Sequence, residues 1–286
     1  MIRRCVPVVV LLLAGMAVRG HAQVSGDRLL HAGAEPQNWL TYSGSYLSQR
    51  FTTLRQITAD NVKNLELKWA FQAQSFEKFE ATPLVVDGIM YVTYSPNELV
   101  ALDAKSGRVF WIYHYKPSPD ARLCCGVVNR GVAILGDTLF MATIDAHLVA
   151  VDAKDGGLLW DKPVGDPAAG YAMTLAPLVV KDKVIVGVAG GEFGIRGFIA
   201  AFDAKTGKEA WRFYTIPAPG EPGHETWTSA DDWKHGGAPA WLTGSYDPDL
   251  NLTYWGIGNP GPDYLPDQRP GDNLYADCVV ALNPDT

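Results

Sequence analysis

LVALDAKSGRVFW (residues 99–111), LVAVDAKDGGLLW (148–160) and IAAFDAKTGKEAW (199–211) are three versions of one phrase. In each, an apolar run ends on an Asp (Asp103, Asp152, Asp203), and a Gly follows at a fixed offset (Gly107, Gly156, Gly207). A Trp then closes the unit: Trp111, Trp160 and Trp211, spaced 49 and 51 residues apart. That spacing is the period of a propeller blade and lies outside that of helical arrays. The residue types suit a strand–turn–strand unit. An Asp side chain accepts hydrogen bonds from turn amides, a Gly adopts the positive φ of a bulged turn, and a Trp supplies a large apolar area between neighbouring blades.

Upstream of each phrase lies a second apolar stretch, PLVVDGIMYVTY, GVAILGDTLFMAT and APLVVKDKVIVGV. Each carries a hairpin signal at its middle: Asp87-Gly88, Gly136-Asp137 and Lys181-Asp182. One repeat is therefore four short strands joined by turns, and the fold class is an all-β propeller of four-stranded blades. Trp69, closing NVKNLELKWAF, marks an earlier blade edge, and WLTYSGSYLSQRFTTLRQIT reads as an entry strand with the first loops. VVALNPDT opens a further unit with Asn283 in the Asp position, so the chain is expected to be the N-terminal part, about the first half, of a longer propeller. The Pro/Gly-rich stretches YTIPAPGEPGHETW (214–227) and NPGPDYLPDQRPGDN (259–273) are long inter-strand loops, where function tends to reside.

The first 22 residues have the layout of a secretory signal peptide: Arg3 and Arg4, an apolar run from Val6 to Val18, then Gly20-His21-Ala22. The run is too short and wrongly flanked for a membrane span, so the product is expected to be periplasmic, with 23–286 forming the propeller portion. The whole chain carries 24 basic and 31 acidic residues, and the leader holds three arginines and no acid. An acidic product without a basic stripe excludes nucleic acid as the partner. The six histidines show no paired ligand spacing and are read as structural.

Beyond the leader, three cysteines remain, two of them adjacent in ARLCCGVVNRG (121–131). Export permits disulfides. Consecutive Cα atoms are about 3.8 Å apart, close to the range a disulfide prefers, yet such a bond closes a trivial loop and adds almost nothing by chain entropy. Two readings stand: a pair of ordinary buried thiols, or a small ring that presents a rigid, polarizable sulfur surface. Cys278, in YADCVVAL, reads as a small core residue on a strand.

The blade motif together with CCGVVNRG resembles the quinoprotein alcohol dehydrogenases, which use pyrroloquinoline quinone (PQQ), and the likeness runs from about Asn38 to the last residue. The resemblance implies an eight-bladed β-propeller with PQQ on the central axis, between a disulfide of Cys124 with Cys125 and the Trp241 of HGGAPAW. It implies cofactor contacts from Arg130 in VVNRG, Glu80 in FEATPLVV and Thr174 in MTLAPLVV, and close backbone approach at Gly190 and Gly191. Glu192 and Asn259 match the family's metal ligands. Such a hard-oxygen set suits Ca²⁺ or a lanthanide and is poor for zinc. Ala189 stands where methanol-oxidising members have a serine contact, which weakens methanol as the substrate.

What the resemblance implies for chemistry is oxidation of a primary alcohol, or a related alcohol or aldehyde. The metal polarises the quinone carbonyl, a carboxylate base takes the alcohol proton, and hydride passes to the quinone. That base is an Asp expected beyond Thr286, so no catalytic residue is assigned among these residues. Electrons then leave to an acceptor such as a cytochrome c or a quinone. Two other readings compete: a cofactor-free propeller scaffold of outer-membrane protein assembly, which should have a blank centre, and a half-ring pseudoenzyme.

Overall fold

The computed structural model describes residues 24–228 and 231–286, so the leader read in residues 1–22 lies outside the described residues. Four antiparallel sheets follow one another along the chain. The first contains β1 (Leu84–Val86), β2 (Ile89–Tyr94), β3 (Glu98–Asp103) and β4 (Val109–Tyr113). The second contains β5 (Val132–Leu135), β6 (Thr138–Ala142), β7 (His147–Asp152) and β8 (Leu158–Pro163). The third contains β9 (Leu178–Val180), β10 (Lys183–Gly187), β11 (Phe198–Asp203) and β12 (Glu209–Tyr214). A fourth, of three strands, contains β13 (Ser245–Asp247), β14 (Leu252–Gly256) and β15 (Val279–Leu282). Within each sheet the strands pair in sequence order, the meander of a propeller blade. The chain is thus a partial all-β propeller, and no helix among the described residues is long and apolar enough to cross a membrane.

Burial grades across each blade. β9 is buried throughout and the middle strands β7 and β11 nearly so, whereas the fourth strands β4, β8 and β12 are exposed or half-buried. Val, Ala, Leu, Ile and Phe fill the buried positions of these strands, so apolar side chains cover both faces.

The repeated phrase now has a mechanical reading. Asp103 Oδ1 accepts from the amides of Lys105 and Ser106, both at 2.9 Å. Asp203 Oδ1 accepts from the Thr206 hydroxyl at 2.6 Å and its amide at 2.8 Å. The ladder slips by one residue just before each Asp, at Ala101/Leu102, Ala150/Val151 and Ala201/Phe202. That bulge sets each blade-closing Trp opposite a small alanine. The indole then reaches the next blade. A Cβ added at Gly156 would stand 2.7 Å from the Trp111 ring, one at Gly207 2.9 Å from Trp160, and one at Gly107 2.5 Å from Trp69. The glycines therefore have two reasons to be glycine: φ between +67° and +78°, and a neighbouring indole in the space of a side chain. Trp111 also donates its Nε1–H to the Ala153 carbonyl at 3.2 Å.

Two expectations change. Trp69 makes this inter-blade contact, and its Nε1 donates to Ala104 O at 3.3 Å, but no strand is assigned between Leu40 and Pro83. A strand exists only where a neighbour completes its ladder, and among the described residues none pairs with the stretch around Trp69. Cys278 is half-buried and lies just outside β15, so it is a strand-end residue and no core residue.

The entry segment is less a strand than a strap. Val24 exchanges backbone hydrogen bonds with Gly136 of the second sheet, and Trp39 with Val85 of the first. Tyr46 donates its hydroxyl to Val179 O of the third at 2.8 Å and meets Tyr246 of the fourth edge-on at 5.1 Å. One short stretch of chain thereby touches all four sheets.

Two expected outcomes follow from the turns. Gly88 has φ +87° but nothing within 4 Å of an added Cβ, whereas Gly156 has φ +78° and the indole. Gly88→Ala should cost about 1–2 kcal/mol for its left-handed backbone. Gly156→Ala should cost about 1–3 kcal/mol more through overpacking, read as the difference in urea unfolding. Hydrogen bonds from Thr206 also hold the Asp203 carboxyl below its ordinary range. A depressed folded-state value stabilises above the unfolded pKa, about 3.9, and that stabilisation is lost as pH falls below it. Asp203→Asn, which accepts the same bonds without titrating, should flatten the acid end of the melting curve.

Candidate functional site

The loops that lead into the first strand of each sheet come together at one end of the array. Glu80 precedes β1, Arg130 precedes β5, Thr174 precedes β9 and Trp241 precedes β13. All four line one cavity of about 290 Å³. So do Cys124, Cys125, Gly190, Glu192 and Asn259. Of the residues singled out from the sequence, Gly191 alone is not on its wall. It lines a neighbouring cavity of about 430 Å³, which shares Glu192 with the first.

Arg130 ties these loops together. Its Nη2 donates to Glu80 Oε2 at 2.8 Å, and its Nη1 to the Thr174 carbonyl at 3.2 Å. The guanidinium carbon lies 5.1 Å from the Trp241 ring centroid, within cation–π range. One side chain from the second blade thus engages the first, third and fourth. The planar fork allows this, since a guanidinium presents several donors in fixed directions and keeps its faces free for stacking. Its backbone is fixed from both sides as well: Thr82 N donates to Arg130 O and Arg130 N to Thr174 O.

Cys124 and Cys125 are bonded to each other. The alternative of two buried thiols is excluded, since both are exposed to the cavity. Lys78 steadies the pair, donating from Nζ to Cys125 O at 2.8 Å and packing its stem against Gly126. Glu192 Oε1 approaches Cys124 Sγ at 3.2 Å. A bonded sulfur has no proton to give, so this is a contact and no hydrogen bond. The carboxylate has no hydrogen-bond donor or cationic partner among the described residues. The bonded sulfurs are neutral and poor ligands, so Glu192 is the only hard donor in that trio.

The two glycines of AGGEFG serve the protein's own packing. A Cβ at Gly190 would stand 2.0 Å from the Gly170 carbonyl, and one at Gly191 3.0 Å from the Pro239 ring. They let the loop fold tightly enough to hold Glu192 at the cavity edge. Opposite, Asn259 donates its Nδ2 to Asp263 Oδ1 at 2.7 Å, and its backbone oxygen accepts from Ala238 N at 3.0 Å.

Sequence reasoning missed Lys78 and Arg122, both on the cavity wall. The one available signal was spacing: Lys78 and Glu80, like Arg122 and Cys124, are two positions apart. Arg122 has no hydrogen-bond or ion-pair partner among the described residues. The fit to a planar tricarboxylate with a hard cation is therefore good on the chemistry present. Sulfur and indole walls, a free guanidinium beside a shared one, and two unengaged hard oxygens line one space.

Comparison with known proteins follows the same line. Residues 39–286 match the family described as PQQ: glucose/ethanol/alcohol dehydrogenase, β-propeller domain. The quinohemoprotein alcohol dehydrogenase ADH IIB of Pseudomonas putida is 43% identical, over 89% of this chain and 39% of its own length. The lanthanide-dependent methanol dehydrogenase of Methylorubrum extorquens is 39% identical, over 96% of this chain and 49% of its own. Among solved structures, the quinohemoprotein alcohol dehydrogenase ADHIIG of Pseudomonas putida superposes with a TM-score of 0.87 at 39% identity, covering 93% of this chain and 41% of that one. A europium-containing methanol dehydrogenase superposes with a TM-score of 0.86 at 38% identity, covering 91% and 49%. The chain spans two fifths to one half of the length of the curated relatives it matches.

Arg130→Lys keeps the charge but loses the fork. It should lower stability by about 1 kcal/mol, the net worth of a hydrogen bond, and raise the mobility of the Trp241 indole. Urea unfolding and tryptophan fluorescence anisotropy read the two effects.

Proposed function

The chain belongs to the PQQ-dependent glucose/ethanol/alcohol dehydrogenase β-propeller family, and from that membership we propose that it is part of an exported oxidoreductase that oxidises a primary alcohol, or a related alcohol or aldehyde. The observation that carries this reading is the donor set of one cavity: bonded sulfurs and an indole on its walls, with guanidinium groups and unpaired hard oxygens between them. Residues 1–22 are read as the leader to the periplasm and 23–286 as the N-terminal part of the propeller.

When bound, PQQ supplies a quinone that accepts the hydride an alcohol carbon gives up as it becomes an aldehyde. The chain's residues prepare for that chemistry. Trp241 and the Cys124–Cys125 ring offer two apolar, polarizable faces to a planar group and keep water off it. Arg130 and Arg122 supply positive charge for carboxylates, while Glu80 orients the Arg130 fork. Thr174 adds a hydroxyl to the same wall. Glu192 and Asn259 would hold the cation, Ca²⁺ or a lanthanide, since carboxylate and amide oxygens serve either. Glu80 is already engaged by Arg130, so it is not assigned as the base for the alcohol proton. The expected base remains an Asp in the blade following Asn259. The electron acceptor is a cytochrome c or a quinone.

The full-length protein reconstituted with PQQ and Ca²⁺ should reduce an artificial dye with a primary alcohol as donor. PQQ should also quench its tryptophan emission, and Trp241→Ala should lose much of that quenching. No dye reduction across a panel of alcohols and aldehydes, with Ca²⁺ and lanthanides both supplied, would overturn the proposal.

A further inference from the structure

We propose that Asp263 is a positioning residue: its hydrogen bond to Asn259 fixes which way that amide faces and so sets the affinity of the cavity for a hard cation. The inference rests on the reading above, in which Glu192 and Asn259 hold that cation.

An asparagine amide has two ends of opposite character, an oxygen that accepts and a nitrogen that donates. Only the oxygen can ligate a hard cation, so the side chain is useful in one of its two orientations. The backbone around Asn259 does not choose between them. It is pinned by Ala238 N donating to Asn259 O at 3.0 Å and by Gly261 N donating to Gly236 O at 2.7 Å, but both bonds leave the amide free to turn over. The choice is made by Asp263. An ionised carboxylate only accepts, so at 2.7 Å it must be met by Nδ2, and Oδ1 is left for the cavity that Asn259 lines. The next contact, Nδ2 to the Pro260 carbonyl at 3.4 Å, is too long to hold the amide alone.

Asp263 makes no ion pair among the described residues, and Asn259 is its sole hydrogen-bond partner there. Without it, the amide would present oxygen and nitrogen to the cavity in turn. The bound state would then have to order a side chain that is already ordered here. Residues that orient a metal ligand without touching the metal typically cost 10- to 100-fold in metal affinity when removed, so about that loss is expected.

The test is calorimetric titration of Ca²⁺ into the PQQ-loaded full-length protein. Asp263→Leu and Asp263→Ala, two removals so that one unstable variant does not decide, should bind Ca²⁺ roughly 10- to 100-fold more weakly. Their metal-free melting temperatures should stay near that of the wild type. Asp263→Glu keeps a carboxylate that only accepts and should retain most of the affinity. In an Asn259→Asp background position 259 has two equivalent oxygens and no wrong way to face, so Asp263→Leu should there leave affinity unchanged or raise it. Unchanged binding in both removals would overturn the inference. So would an equal loss for Asp263→Leu in the Asn259→Asp background, which would make the charge and not the orientation responsible. If the wild type itself takes up no Ca²⁺, the assignment of Glu192 and Asn259 fails, and this inference fails with it.

Discussion

An indole laid over a glycine turn is the contact on which the rest of this structure depends. A blade of four short strands can complete its own ladder, but its outer strand carries a Trp that touches one ring of its own blade (Tyr91 for Trp111, Phe140 for Trp160) and needs a partner outside it for the rest of the indole. The partner is the bulged turn of the next blade, which has room for a ring only because Gly107, Gly156 or Gly207 has no side chain. Each junction thus needs two residues far apart in sequence to be correct together. Stability passes from neighbour to neighbour, as in other repeat architectures. The strap of residues around Val24, Trp39 and Tyr46 adds a second tie that does not follow the blade order.

Because the junctions fix the angle between blades, they also fix what meets at the inner ends. Glu80, Arg130, Thr174 and Trp241 occupy the same structural place in four successive sheets, the loop entering the first strand. Glu192 and Asn259 share a different place, the loop leaving the second strand of the third and fourth sheets. Each loop contributes to a common space. The Arg130 guanidinium then welds four of these loops by bonds that none could make alone. A point mutation in an outer turn should therefore be felt in the cavity as a misplaced loop.

The blade architecture was legible because it recurs: an Asp, a Gly and a Trp at constant offsets leave little room for another fold. The adjacent cysteines were legible for the opposite reason, as an arrangement that ordinary packing does not call for. What escaped was set by tertiary neighbours. Trp69 has the blade-closing residue type, but whether its segment is a strand depends on a pairing partner that no local pattern reveals. Cys278 has a strand's apolar context and still falls just outside β15. Gly190 and Gly191 have a packing reason that local sequence does not reveal: a side chain at either would strike Gly170 or Pro239. Lys78 and Arg122 carried only a spacing signal, which in irregular loops is weak until the loops are placed.

The cavity joins two kinds of chemistry that normally exclude each other. Thiolates are good ligands for soft metals, and a Cys-Cys pair beside a carboxylate would ordinarily invite one. Bonding the sulfurs to each other removes both charges and leaves a neutral wall, so Glu192 can lie 3.2 Å from Cys124 without the trio becoming a soft-metal trap. The pairing therefore protects the hard character of the site as much as it builds a surface. Reduction of that one bond would put competing soft donors beside Glu192, and an oxidising compartment is the setting in which the arrangement is chemically consistent.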